Sequence, residues 1–308
     1  MKPEENWLRQ QKSLARPSLD LSILLGWLAL LVLVAQAWLV TEIVTAVGFR
    51  QQDLSSQWPA LSLLLALLPL RALLTWGGEY LAARAAVQLK QRLRLRLFDR
   101  LRRLGPAWLV TRHGGSLTTT VSDGIEGLGR YYSHYLPAIA RVAMAPFTLL
   151  LFIAPRDWVS ALILLVTAPL VPFFMILIGK GAERRNQRQW RQLARMSAHF
   201  LDVIRGLPSL KLFNASRREA QVIARLSEEY RRRTLSVLRI AFLSSFTLEF
   251  FATVSIALVA VFIGFRLYWG EMSFGDGFFV LLLAPEFYLS LRNLGSSYHD
   301  RMEAIGAA

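Results

Sequence analysis

Trp58–Leu104 reads WPALSLLLALLPLRALLTWGGEYLAARAAVQLKQRLRLRLFDRLRRL. Up to about Ala83 it is apolar, broken only by Arg71 and Glu79. That length, at a 1.5 Å rise per residue, crosses a hydrocarbon core of ~30 Å. The second half changes character without a breaker. Leu89, Leu93, Leu97, Leu101 and Leu104 recur every three or four residues, with Arg92, Arg96, Arg100 and Arg103 between them. That is the pattern of an amphipathic helix. The stretch therefore predicts one helix that spans a membrane and continues into water for roughly 30 Å.

Five further apolar runs accompany it, predicting six spans: about 21–47, 58–83, 132–154, 158–179, 241–268 and 276–297. Residues 1–20 are polar and basic, and Ala35-Gln36-Ala37 resembles a leader-peptidase site. Apolar sequence continues well past a 7–15-residue signal core, so a retained first span is the better reading.

The chain is strongly basic, with 36 Lys+Arg against 21 Asp+Glu. In a soluble protein that balance suggests nucleic acid. Here the basic residues fall between the apolar runs. The loops Arg84–Tyr131 and Lys180–Ile240 carry ten and fifteen Lys/Arg against three and five acids. Gly48–Gln57, Pro155–Asp157 and Trp269–Gly275 carry one or none. By the positive-inside rule the long loops and both termini are expected on the cytoplasmic side. There are no cysteines, which excludes disulfides, zinc–thiolate sites and a cysteine nucleophile.

Each long loop also reads as helical. The second carries Glu183, Arg184, Arg188, Arg191 and Arg195 out of span four, and Glu228, Arg232 and Arg239 into span five. Two long hairpins result, whose tips hold the breakers: Gly114-Gly115-Ser116 in one, Gly206 and Pro208 in the other. Asn6-Trp7-Leu8-Arg9 suits a short helix lying on the membrane surface.

These features resemble the transmembrane domain of type I ABC exporters. The resemblance rests on Gly115 to Asp123 at the first tip, Gly206, Lys211 and Phe213 at the second, and Ser273-Phe274-Gly275 before the last span. Segments spread along the chain narrow it to the CydD-type subunits of cytochrome bd assembly transporters. They are Gly105-Pro-Ala-Trp108, Tyr131-Tyr132, Thr167–Pro172, Leu238–Ser245, Leu283-Ala-Pro-Glu-Phe-Tyr288, Leu291-Arg-Asn-Leu-Gly295 and Tyr298–Ala308.

The resemblance implies an all-α six-helix domain over 21–308, preceded by a cytoplasmic segment 1–20, in a bacterial inner membrane. It implies a CydC-like sister subunit and glutathione, cysteine or haem as cargo. It also implies transverse coupling helices that dock on nucleotide-binding domains. The coupling residues it points to are Gly115, Ser116, Asp123, Asp202, Gly206, Lys211 and Phe213. ATP and Mg would belong to a nucleotide-binding domain expected after 308, since no G-x-x-x-x-G-K-[ST] loop occurs here. No catalytic constellation stands out.

Ionisable groups in spans are costly and usually face a cavity or a partner. Arg71, Glu79, Arg141, Glu249, Glu286 and Arg292 are such groups, and with Tyr288 and His299 they are the cargo-cavity candidates. Arginine pairs with carboxylates by two hydrogen bonds, which suits an anionic cargo. The plain alternative is mutual pairing or snorkelling. Four histidines, His113, His134, His199 and His299, show no metal spacing, although His134 or His299 could reach haem iron. Pro69, Pro137, Pro146, Pro169, Pro172 and Pro285 fall inside spans and predict kinks, above all where Pro169 and Pro172 share one span. Rival functions are a passive channel or ion-coupled carrier, and a non-transporting scaffold for oxidase assembly. The long hairpins argue against the first, and ATP-dependent cargo movement separates the second.

Overall fold

A computed structural model describes residues 16–110, 124–170, 173–174, 199–200 and 202–307. Every described regular element is helical, and five helices are long and apolar enough to cross a membrane. α1 spans Arg16–Gly48 and α2 Trp58–Val110. A short α3 (Ile125–Arg130) runs through a π-helical turn, Tyr131–Tyr135, into α4 (Leu136–Ile153). α5 is Trp158–Thr167, α6 Leu207–Leu212, α7 Ser216–Tyr268 and α8 Phe274–Ala307.

The predicted continuation of the second span into water is one helix as far as Leu104. The break comes earlier than the Gly114-Gly115 pair, which lies outside the described residues. Gly105 has φ 76°, a left-handed conformation that costs glycine little, and Pro106 follows it. The second long extension is equally plain. α7 has 53 residues, about 80 Å of helix, so its basic N-terminal half stands beyond the apolar stretch from 241. Ion pairs at helical spacing stiffen that half: Arg231 and Arg232 to Glu228, and Arg233 to Glu229. Hydrogen bonds from Arg231 and Arg232 hold the Glu228 carboxyl down at about 2.

The fourth expected span, 158–179, is described only in part. α5 has ten residues, about 15 Å, and gives way to a turn at Ala168–Pro169. The regular helix thus ends where Pro169 stands. Phe173 N–H still reaches Pro169 O at 3.1 Å, which keeps helical spacing beyond it. Pro172 and the basic stretch 175–198 lie outside the described residues, as do the tip 111–123 and the N-terminal stretch containing Trp7.

The other prolines act differently from one another. Pro69, Pro146 and Pro285 are carried inside helices. Pro137 sits in the first turn of α4, directly after the π turn, where Leu136 N–H bonds to Tyr131 O five residues back. A proline lacks the N–H its turn needs and crowds the carbonyl four residues earlier. Slipping the ladder by one residue before Pro137 relieves that crowding.

Two cores hold the bundle. The larger joins α1, α4, α5, α7 and α8 through Leu33, Leu149, Leu164, Val259, Phe279 and Phe287, all 6% exposed or less. The smaller lies at the long-loop end, where Leu19, Leu89, Leu93 and the π-turn tyrosines surround Ala304. α1 and α2 touch through small residues. Ser22 Oγ donates to Gly78 O at 2.7 Å, and a Cβ on Gly78 would lie 3.3 Å from Ser22 O. Such close backbone approach is how helices pack where water provides no driving force.

Candidate functional site

Four helices, α1, α2, α4 and α8, enclose a cavity of about 300 Å³. That is the lower end of the range for small-molecule pockets. Helical spacing explains which side chains reach it. On α2, Arg71, Thr75, Gly78, Glu79 and Ala82 fall three or four residues apart on one face. On α8 the same rule lines up Glu286, Ser290 and Asn293. α4 contributes Pro137, Arg141 and Met144, and α1 contributes Ser22, Gly26, Trp27 and Leu30.

The cavity holds two cations, Arg71 and Arg141, and two anions, Glu79 and Glu286. Arg71 Nη2 lies 3.6 Å from Glu286 Oε1. That exceeds the ~2.7–2.9 Å of a charge-assisted hydrogen bond, so the two attract without being locked together. Arg141 and Glu79 make no ion pair or hydrogen bond among the described residues. Both are exposed, which in a span means exposed to the cavity or its mouth. Gly26 leaves room for the Arg141 stem, since a Cβ there would meet Arg141 Cδ at 3.8 Å.

The cavity hydroxyls spend their protons on the backbone. Thr75 donates to Arg71 O (2.8 Å), Ser133 to Gly129 O (3.1 Å) and Ser290 to Phe287 O (2.9 Å). Trp27 Nε1 donates to Thr148 Oγ1 at 3.2 Å. The wall therefore offers hydroxyl lone pairs, two guanidinium groups and two carboxylates over an apolar floor.

Of the eight cavity candidates, the structure brings four together: Arg71, Glu79, Arg141 and Glu286. Glu249 and Arg292 pair with each other between α7 and α8, away from the cavity. Tyr288 is 1% exposed and turned to the opposite side of α8, where its hydroxyl meets Thr167 Oγ1 at 2.5 Å. It belongs to the packing of α5 and α8. The His299 side chain lies outside the described residues, and neither His134 nor His199 lines the cavity. The sequence reading missed Ser133, Ser290, Asn293 and Trp27. The offsets from Glu286 to Ser290 and Asn293 are the signal that finds two of them.

At the second tip, the helical residues 202–205 break at Gly206, which caps α6, and Pro208 occupies the first turn of α6, where a missing N–H costs nothing. No residue of α6 is buried, and Leu212 and Phe213 are 83% and 82% exposed. Lys211 closes the helix, and Asp202 O receives the Gly206 N–H at 2.8 Å. His199 lies 2.7 Å from Glu219 beside it. Gly115, Ser116 and Asp123 of the first tip lie outside the described residues.

At the opposite end, two of the short turns, 155–157 and the one between α7 and α8, are tied together. Asp157 accepts from Val159 N and Ser160 N at 3.2 Å each, capping α5, and pairs with Arg266 of α7. Arg156 reaches Asp276 of α8 at 3.4 Å and lies 4.5 Å over the Phe279 ring.

Comparison with known proteins places this geometry. The family model described as ABC transporter transmembrane region matches residues 21–288. The chain is 40% identical over 98% of its length to the "Glutathione/L-cysteine transport system ATP-binding/permease protein CydD" of Escherichia coli (strain K12), covering 53% of that protein. It is 42% identical, with the same coverage of 98% and 53%, to "Transport ATP-binding protein AarD" of Providencia stuartii. It is 36% identical over 87% of its length to the CydC protein of the Bacillus subtilis (strain 168) glutathione/L-cysteine transport system, covering 47% of it. The chain thus spans about half the length of the curated relatives it matches.

Proposed function

The chain belongs to the ABC transporter transmembrane region family, and from that premise we propose that it is the CydD-type membrane half of an ATP-driven permease that moves glutathione and L-cysteine across a bacterial inner membrane. The observation that carries this reading is the charged cavity: two arginines and two glutamates collected from three apolar helices. A charged side chain at the centre of a span costs about 2.5–3.5 kcal/mol on insertion scales. Four of them around one space point to a polar solute that passes there.

The relatives' names support an ATP-binding half and a CydC-like sister, and the CydD resemblance supports the link to cytochrome bd. A CydC-like sister subunit supplies the other wall of the pathway, and the product serves cytochrome bd assembly. ATP and Mg are handled by a nucleotide-binding domain outside these 308 residues. Its movements reach the bundle through two tips, one around Gly115, Ser116 and Asp123, the other the α6 region from Asp202 to Phe213. The bare Leu212 and Phe213 side chains support docking there, since large apolar groups left in water mark contact surfaces. Alternation between inward-open and outward-open states would then be a rocking of helix bundles. The long-loop end and both termini face the cytoplasm, by the excess of Lys and Arg in the long loops. Haem, the other cargo the resemblance implies, would meet the same two arginines through its carboxylates.

The test uses the complete protein with its sister subunit in proteoliposomes, measuring ATP hydrolysis with reduced glutathione or L-cysteine. Stimulation by both is the expected result, weakened for both thiols in Arg141→Gln and for glutathione in Arg71→Gln. Stimulation by haem alone, or by neither thiol, would overturn the cargo assignment.

A further inference from the structure

The four cavity charges are not equivalent, and their inequality says what kind of molecule completes them. Arg71 and Glu286 already face each other, at 3.6 Å. Arg141 on α4 and Glu79 on α2 are the two left over, of opposite sign, on different walls, and without partners among the described residues. The lining is formally neutral, with two positive and two negative groups. A site shaped for a dianion would carry surplus positive charge. This one presents one positive and one negative group, Arg141 and Glu79, to the same space.

We propose that the cavity recognises the zwitterionic α-amino-acid end of its cargo, with Arg141 taking the carboxylate and Glu79 the ammonium. This rests on the permease reading above and narrows it to a substrate class. At neutral pH an α-amino acid holds both charges on neighbouring atoms, as ammonium and carboxylate. Its entry satisfies Arg141 and Glu79 together and leaves the cavity neutral. A ligand with one of the two charges blocked leaves one protein charge unmatched in a confined site, where mismatch costs most.

Glutathione has such an end at its γ-glutamyl residue and a second carboxylate at its glycine. The loose Arg71–Glu286 pair is suited to that second group. A guanidinium held at 3.6 Å has not closed on its carboxylate and can turn to another. Cysteine, with one carboxylate, uses Arg141 and Glu79 alone. Arg71 thereby becomes the group that tells glutathione from cysteine.

The experiment reads half-saturating concentrations for stimulated ATP hydrolysis by the full-length protein with its sister subunit in nanodiscs. The probes are L-cysteine, N-acetyl-L-cysteine, L-cysteine methyl ester and reduced glutathione. The blocked compounds should need about tenfold more than L-cysteine or worse, the loss of one charge-assisted hydrogen bond. Glu79→Gln should raise the value for L-cysteine by a similar factor and lower that for N-acetyl-L-cysteine, whose entry then strands no carboxylate. Arg141→Gln should likewise weaken L-cysteine and lower the value for the methyl ester, and Arg71→Gln should weaken glutathione but not L-cysteine. A probe that acts as well or better in each variant also shows that the variant is folded. If N-acetyl-L-cysteine matches L-cysteine in the unaltered protein, the zwitterion assignment falls and the permease reading stands. If no thiol stimulates a complex that hydrolyses ATP on its own, both fall.

Discussion

Removing the charge of Asp157 tests how the bundle is tied at its short-turn end. Asp157 is 2% exposed and does two jobs, capping α5 through Val159 N and Ser160 N and pairing with Arg266, whose side chain is 19% exposed. Breaking a buried ion pair by removing one partner typically costs about 3–5 kcal/mol, because the other charge is stranded. Arg266 has one fallback, Glu271 at 3.7 Å, so Asp157→Asn belongs near the lower end, about 3 kcal/mol. The asparagine keeps an oxygen for the cap. Asp157→Ala loses that as well, about a further 1 kcal/mol. A melting curve of the complex in nanodiscs should place Asp157→Asn roughly 6–12 °C below the unaltered protein. Asp157→Ala should lie lower still. Arg266→Gln in the Asp157→Asn background should recover part of the loss, since it removes the stranded charge. A shift under ~2 °C for Asp157→Asn would refute the reasoning. So would strict additivity of the two changes.

Three other outcomes follow from the same geometry. Gly277→Ala would put a Cβ 2.8 Å from Cγ2 of Ile263, a side chain 1% exposed with no room to retreat. Overpacking of that kind should cost about 1–3 kcal/mol, read as a lower melting temperature. Tyr288→Phe removes the hydroxyl that meets Thr167, which keeps its own bond to Ile163 O at 2.6 Å. The expected cost is about 0.5–1.5 kcal/mol with thiol half-saturation unchanged, because Tyr288 lies off the cavity. A change in half-saturation would return Tyr288 to the cargo site. Leu212→Ala with Phe213→Ala should leave melting within about 0.5 kcal/mol of the original, both side chains being exposed. Thiol stimulation of ATP hydrolysis should be lost in that variant; retained coupling would remove α6 from the force path.

Helices were legible in the sequence wherever a period continued through a change of solvent. The leucine spacing from Leu89 to Leu104 read correctly as α2 running on past its apolar half. Local rules do not say which way a charged side chain turns once several helices offer partners. Arg292 and Glu286 are six residues apart in α8, and one pairs toward α7 while the other faces the cavity. That split is set by which neighbour packs on which face of α8, information spread over four helices. Tyr288 shows the same limit. Its two-residue offset from Glu286 turns it about 200° around the helix, into the core. The Gly105 break was within reach of the sequence, for glycine followed by proline is a stop signal. The glycine pair nine residues further on drew the reading past it.

Charges in a span have a consequence for motion as well as for binding. Arg141 and Glu79, without partners among the described residues, are costly in a span unless water or cargo reaches them. On the alternating-access reading, the short-turn ends of α1 and α8 then have to part. What joins them there is slight. Phe49 and Phe274 stack with ring centroids 4.2 Å apart, and Gly275 lies close enough that a Cβ would sit 3.4 Å from Thr45 Oγ1. One aromatic pair is worth about 0.5–1.5 kcal/mol beyond its buried area. By contrast, α5, α7 and α8 are tied at the same end by the Asp157–Arg266 and Arg156–Asp276 pairs. The weak seam runs between α1 and α8 and the strong ties lie to one side of it. On that reading a bundle tied this way would part at the short-turn end of the seam, above the core that α1 and α8 share, with α5, α7 and α8 keeping together.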